Sequence, residues 1–370
     1  VLARHIARPV QQLARATRQV QDGDYSVEIP VTSQDEIGVL SQAFRNLVED
    51  LKEKAQLVEY MMQAAGASAT QPLHAAPTAI REVADRPSVG SGGDVLRPGS
   101  VFAGRYEVKE ILGAGGMGVV YRAFDRELAE AVAIKTLRPD TLAGDSVALE
   151  RFKQEIRLAR KITHRNVVRT YDLGEVGGMY YLTMEYVEGT SLKSLIQGRG
   201  RLPVPVALTV GKQLCRALEV AHEQGVIHRD IKPQNMVVEP NGFLKVMDFG
   251  IARLANPPKG KGLTEAGMAI GTPDYMSPEQ LSGLELDPRS DLYSAGVVLF
   301  ECLTGRVPFE ADTPWSLIAK HLEEDPPNPR ALNAEVTEGL AQVILKAMAK
   351  DKENRYKSAG EMHDALAAIG

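Results

Sequence analysis

Cysteine is almost missing from this chain: Cys215 and Cys302 are the only two among 370 residues. There is no CxxC pair and no Cys/His cluster, which argues against a disulfide framework and the common zinc sites. Both cysteines lie in apolar, helix-like sequence, where the expectation is a buried, reduced thiol. A long hydrophobic run is missing too. The longest, Ala295 to Phe300, is far short of the roughly 18 apolar residues that span a bilayer. No signal-peptide pattern is present, and the first residue is Val1 rather than methionine, so something upstream is expected to have been removed. Nor does charge of one sign dominate. Lys and Arg total 43 against 48 Asp and Glu, a net charge of -5. Nucleic acid is therefore not the expected partner, because phosphate-backbone binding needs a concentrated basic surface. What remains, 44% hydrophobic and 25% charged residues, is ordinary globular composition at a length above one average domain.

Composition divides the chain into three regions. Residues 1–59 are helical in pattern. Ile6, Val10, Leu13, Thr17 and Val20 recur at alternating four- and three-residue spacing, and Ile37, Leu40, Phe44, Leu47, Leu51 and Val58 follow the same register, broken once at Lys54. So narrow a seam cannot be buried by two short helices alone and implies a coiled-coil bundle. Residues 60–104 are rich in Ala, Gly, Pro and Ser and read as a flexible linker, with a short helix over 78–84 as its one structured candidate. Residues 105–370 alternate strand and helix patterns, as a globular domain does.

Five motifs follow one another in this last region. The first is Leu112-Gly113-Ala114-Gly115-Gly116-Met117-Gly118-Val119-Val120. Gly113, Gly115 and Gly118 allow backbone to approach phosphate without side-chain obstruction. A dinucleotide fold would need a helix directly afterwards, but Val119, Val120 and Tyr121 read as a strand. The second is Val132-Ala133-Ile134-Lys135; taken alone, its lysine is a solvated strand end. The third is His228-Arg229-Asp230-Ile231-Lys232-Pro233-Gln234-Asn235, too specific for an arbitrary polar loop. The fourth is Asp248-Phe249-Gly250, thirteen residues beyond Asn235 and after the strand-like run from Leu244 to Met247. The fifth is Ser277-Pro278-Glu279, preceded by Gly271-Thr272-Pro273-Asp274-Tyr275.

In this order the motifs resemble the bacterial eukaryotic-like serine/threonine protein kinases over roughly residues 106–369. The resemblance implies an α+β, bilobal fold with a small β-rich N-lobe and a large helical C-lobe. It implies ATP and Mg2+ as cofactors and proteins as substrates. Asp230 would receive the proton of the substrate hydroxyl, and Lys232 would neutralise charge on the transferred phosphoryl group. Lys135 would contact the α- and β-phosphates and pair with Glu155, on a helix read over 151–160. Asn235 and Asp248 would hold magnesium. Leu112, Val120, Ala133 and Val237 would line the adenine slot, with Met184 as gatekeeper and the backbone of Glu185 and Val187 as hydrogen-bonding hinge. Glu279 would pair with Arg355, and Asp291 would brace the catalytic loop. Ser277 stands where the family pattern has alanine. Lys232 and the Gly271-Thr272 step resemble the serine/threonine class rather than the tyrosine class. Arg229 would answer a phosphate on the activation loop, for which Thr264 is the candidate position. An ATP-binding pseudokinase acting as a scaffold is the alternative; the presence of Lys135, Asp230, Asn235 and Asp248 weighs against it.

The first region resembles a HAMP domain, through Arg8-Pro9-Val10 with Leu13, Gly23-Asp24-Tyr25, Ile29-Pro30-Val31, and Asp35-Glu36-Ile37-Gly38 with Leu40 and Phe44. That resemblance implies a homodimeric four-helix bundle continuous with a transmembrane helix upstream, and so a kinase at the cytoplasmic face of the cell inner membrane. A linker of this length spans about 35 to 40 Å root-mean-square. Helix rotations would be lost across it, whereas dimerisation would still hold two kinase domains at roughly millimolar effective concentration.

Overall fold

The computed structural model describes residues 11, 13–20, 24, 25, 27, 29, 36–67, 95–115, 118–138, 146–249 and 273–369. The chain forms two compact units, Val1–Gly66 and Ala67–Gly370. Among the described residues no helix is long and apolar enough to cross a membrane.

The first unit contains helix α1 (13–20) and helix α2 (Glu36–Ala67). Ala16, Ile29 and Val48 form its core, packed by Leu13, Val20, Val27 and Phe44. The Arg45 guanidinium donates to the carbonyl of Ile29 (Nε, 3.0 Å), pinning the segment between the helices to α2. Ala16 takes the inward place that the spacing gave to Thr17. Thr17 is exposed and folds its hydroxyl back onto the Leu13 carbonyl at 2.8 Å, as a mid-helix threonine does when it meets water.

The second unit opens with strands β1 (Val101–Phe102), β2 (Tyr106–Gly115), β3 (Gly118–Asp125) and β4 (Glu130–Leu137). After helix α3 (Ser146–Ala159) come β5 (Thr170–Val176) and β6 (Met179–Glu185). All pair antiparallel in the order β1-β2-β3-β4-β6-β5. Period-two alternation explains how this sheet serves a site. On β4, Val132 and Ile134 join Tyr106, Val108 and Tyr121 on one face. Ala133 and Leu137 join Phe152, Ile156, Leu182 and Met184 on the other. Lys135 shares the second face with Ala133, so both sides of β4 are covered and the lysine points inward. Gly118 has φ +154°, and a Cβ there would come within 1.7 Å of the Thr136 carbonyl oxygen; only glycine allows β3 to pass this close to β4.

The remainder is helical. It contains helices α4 (Leu192–Arg199), α5 (Val204–Glu223), α6 (Pro278–Leu281), α7 (Pro288–Thr304), α8 (Pro314–Glu323), α9 (Glu338–Ala347) and α10 (Ala359–Ala367), with a small sheet of β7 (Thr190–Ser191), β8 (Met236–Val238) and β9 (Leu244–Val246) packed against α4 and α5. Helix α7 is buried from Ser290 to Leu303, which fits its near-continuous apolar sequence. It begins at Asp287, whose carboxylate accepts from the Arg289 N–H, and closes on Gly305 at φ +79°. Cys215 and Cys302 are buried free thiols, and burial raises both pKa values. Part of the linker, with the short helix over 78–84, and the stretch 250–272, with Thr264, lie outside the described residues.

Candidate active site

The loop from His228 to Asn235, expected to be catalytic, lies between α5 and β8 and is held from beneath. Asp291, in the first turn of α7, accepts from the backbone N–H of His228 (2.8 Å), the backbone N–H of Arg229 (2.8 Å) and the His222 ring (Nε2, 2.8 Å). Burial acts to raise the Asp291 pKa, but the His222 hydrogen bond and surrounding positive charge outweigh it, and the pKa is lowered. Arg229 sits at φ +68°, a conformation that costs of order 1–3 kcal/mol for a non-glycine residue and persists only where neighbours impose it. Here they do. Its N–H is held by Asp291, and its carbonyl accepts from Gln280 Nε2 at 2.7 Å.

Gln280 was not legible as a site residue. It stands in a capping box: the Ser277 hydroxyl accepts from the Gln280 N–H, and the Gln280 side chain accepts from the Ser277 N–H. The serine that departs from the family pattern is thus the N-cap of α6, and S-x-x-Q was the signal available. The Glu279–Arg355 pair forms as expected, at 2.7 and 2.9 Å.

Above this floor the residues expected to react converge. Asn235 Nδ2 donates to the Asp230 carboxylate (2.9 Å) and to its carbonyl (2.8 Å). Lys232 Nζ lies 2.8 Å from the same carboxylate. Because Asn235 commits its NH2 group to Asp230, its amide oxygen is left for a cation. The Met247 N–H donates to the Asn235 carbonyl at 2.9 Å, which sets Asp248 next to it. Asp248 also has φ +68°. His228 fixes this turn from below: its Nε2 meets the Met247 carbonyl at 2.7 Å, and its ring stacks edge-on against Phe249 at 4.5 Å.

Lys135 Nζ lies 2.8 Å from Asp248 Oδ2. Burial would raise the Asp248 pKa, yet the charge and hydrogen bond of Lys135 hold it below the usual carboxylate range. Here the arrangement differs from the expectation. Lys135 takes Asp248 as its ion-pair partner rather than Glu155, while Glu155 on α3 forms a bidentate contact with Arg229 Nη1, both at 3.1 Å. The physical reason is competition. Two cations and two anions meet in one cleft, and with Lys135 on Asp248 it is Arg229 that meets Glu155. Arg229, expected to meet a phosphate, is occupied by Glu155.

The side expected to take adenine is apolar. Ala133, Met184, Val187 and Val237 belong to one buried cluster with Val120 packed against it, and Leu112 is buried beside the glycine turn. Gly113 and Gly115 pair across to Val120 and Gly118. Glu185 closes β6, at the position where the hinge is expected. Two oxygen donors, the Asn235 amide and the Asp248 carboxylate, suit a hard cation that takes its remaining ligands from phosphate and water.

A glycine-rich β2–β3 pair beside an apolar slot, with an acid–lysine–asparagine loop below, is the architecture of a protein kinase. The sequence model of the protein kinase domain family matches residues 106–366, and the chain belongs to that family. The HAMP domain model matches residues 1–53. The chain is 39% identical over 271 residues to a probable serine/threonine-protein kinase of Clostridium acetobutylicum, covering 73% of this chain and 41% of that protein. It is 43% identical over 269 residues to the serine/threonine-protein kinase PknB of Mycolicibacterium smegmatis, covering 72% and 43%. It thus spans about two-fifths of the length of these relatives. A solved structure, the Mycobacterium tuberculosis PknI kinase domain, matches with a TM-score of 0.60 at 27% identity, covering 75% of this chain and 100% of that one.

Proposed function

We propose that this chain is a serine/threonine protein kinase that transfers the γ-phosphate of ATP to protein hydroxyls, and that pairing of two copies and autophosphorylation switch it on. The observation that carries transfer is the setting of Asp230, whose carboxylate has Lys232 at 2.8 Å and Asn235 at 2.9 Å. Asp230 orients the substrate hydroxyl and takes its proton, and Lys232 offsets the negative charge that spreads over the phosphoryl group. Asn235 and Asp248 would hold magnesium, which when bound neutralises phosphate charge. Lys135 holds the α- and β-phosphates, and the slot around Ala133 and Val237 holds adenine. A relay that binds ATP without transferring phosphate has less support, because each of these polar groups is present. Radiolabel transfer to a generic basic protein tests the reading: Asp230→Asn should lower the rate by about 10²–10⁴. Labelling that survived this substitution would end the mechanism.

Regulation follows from the charges in the cleft. A phosphate on Thr264 would draw Arg229 away from Glu155. Glu155 would then turn to Lys135, and Asp248 to the metal.

The first unit supports a membrane-tethered homodimer, anchored through a transmembrane helix upstream at the cytoplasmic face of the inner membrane. Leu40 and Leu47, seven residues apart on α2, are 54% and 51% exposed in the single chain, a stripe suited to a second copy. Autophosphorylation of residues 1–370 should persist on dilution where that of 100–370 fails; equal concentration dependence would refute activation by pairing.

A further inference from the structure

One buried lysine has no part in the mechanism above. Lys245 lies in the middle of β9, between Leu244 and Val246, which are both fully buried, and is itself only 9% exposed. A lysine loses more on burial than almost any other side chain unless an anion meets it. Its Nζ lies 2.5 Å from Glu185 Oε1. Glu185 is the residue whose backbone is assigned to adenine.

The rest of this junction shows how much rides on that contact. The second carboxylate oxygen of Glu185 accepts from the Arg169 N–H at 3.1 Å. The Glu185 N–H in turn donates to the Arg169 carbonyl at 2.9 Å. The segment leading to Arg169 is itself laced to β9: the Val168 N–H donates to the Val246 carbonyl (2.9 Å), and the Val246 N–H donates to the Asn166 carbonyl (2.8 Å). Lys245 pairs across the small sheet with Val237, in the floor of the adenine slot, and Asp248 follows three residues later. One carboxylate therefore joins the hinge, the segment before β5 and the strand that leads to Asp248.

We propose that Lys245 is a positioning residue for the nucleotide: its contact with Glu185 fixes the hinge backbone at the distance from Val237 and Asp248 at which adenine and the phosphates can be held together. The proposal rests on the reading of Glu185 and Val187 as the adenine hinge. Lys245 touches neither the nucleotide nor the reacting atoms, so losing it loosens the slot without removing a chemical group. The consequence is a change in ATP affinity with little change in turnover.

The test is steady-state kinetics of the full chain, with ATP varied at saturating protein substrate and Asp230→Asn run as the dead-enzyme control. Lys245→Met should raise the KM for ATP roughly fivefold to tenfold and leave kcat within about twofold. Lys245→Arg, which keeps the charge and the reach, should restore most of the affinity. Glu185→Gln should raise KM in the same direction, and the double variant Lys245→Met/Glu185→Gln should be no worse than the poorer single one, because both remove one contact. An unchanged or lowered KM in Lys245→Met, or a raised kcat, would overturn the proposal and make the contact a spacer or a restraint. If Lys245→Met does not fold, Glu185→Gln decides, and an unchanged KM there overturns it equally. Wild-type transfer abolished by Asp230→Asn, beside an unaltered KM in the brace variants, would sink this inference and leave the kinase reading standing.

Discussion

Two networks of charge lie a few residues apart in the kinase domain and behave as opposites. Beneath the catalytic loop, Arg355 and Glu279 are paired at 2.7 and 2.9 Å with side chains 0% and 6% exposed. Arg355 also donates to the carbonyls of Ala349, Arg289 and Lys350, and Glu279 accepts from the Ser290 hydroxyl at 2.6 Å. Here charges are surrounded by matching partners fixed by geometry. In the cleft, Lys135, Asp248, Arg229 and Glu155 form two pairs, and exchange between them is what the proposed regulation requires. The lower network is a frame. The upper one is read as a gate, under the proposal that a phosphate on the activation loop would redraw its pairs.

The sharpest way to break this contrast is at the frame. Removing one partner of a buried pair leaves the other charge uncompensated, which costs about 3–5 kcal/mol. Arg355→Ala should therefore lower the unfolding free energy of the kinase domain by that amount in chemical denaturation. A loss below about 1 kcal/mol would show that the pair is not part of a fixed frame.

A smaller effect is expected from pH. His321 is fully buried, with its Nδ1 2.9 Å from the Tyr293 hydroxyl. Burial first, and then the charge of Lys350, push its pKa down to about 4. The folded state therefore binds fewer protons than the unfolded chain between about pH 6.5 and 4, so stability is full above that window and falls as pH drops through it. The loss should reach about 3 kcal/mol at pH 4. His164, also lowered by burial, adds in the same direction. Denaturation midpoints at about pH 7, 5.5 and 4 should show this slope reduced in His321→Gln; an identical slope in the variant would place the titration elsewhere. Glu279 and Asp291, both lowered, and Asp287, lowered to about 2, add a loss of the same sign that sets in only as pH nears the ordinary carboxylate range, at the lower edge of this window. The change between about pH 7 and 5.5 is therefore the one that reports the histidines.

The smallest effect belongs to the gate. In phosphatase-treated protein, Arg229→Met should release Glu155 to Lys135 and tighten ATP binding about threefold to tenfold, because the competent arrangement becomes more populated. Binding that is unchanged or weaker would mean that Arg229 does not restrain Glu155.

Much of the site was legible before any coordinates. The glycine turn, the HRD loop and Asp248 were found by spacing, since those chemistries fix residue types along the chain. Asp291 and Arg355 were found by their place in the same pattern. The stretch 250–272 left Thr264 undescribed. Gln280 and Lys245 were missed for different reasons. Gln280 acts through a capping box whose signature was present but carries no chemistry of its own. Lys245 looked like an ordinary strand lysine, because burial is not a local property.

Sequence alone determined which groups the chain can bring to a reaction: the identity of acid, lysine, amide and glycines, the α+β alternation around them, and a HAMP-like seam ahead of them. Those are matters of local spacing and periodicity, which the covalent chain fixes directly. Only the tertiary structure decided how opposite charges pair, because Lys135 and Asp248, Arg229 and Glu155, and Lys245 and Glu185 are separated by 113, 74 and 60 residues. Spacing along the chain says nothing of contacts so remote; the fold alone brings each cation within reach of its anion.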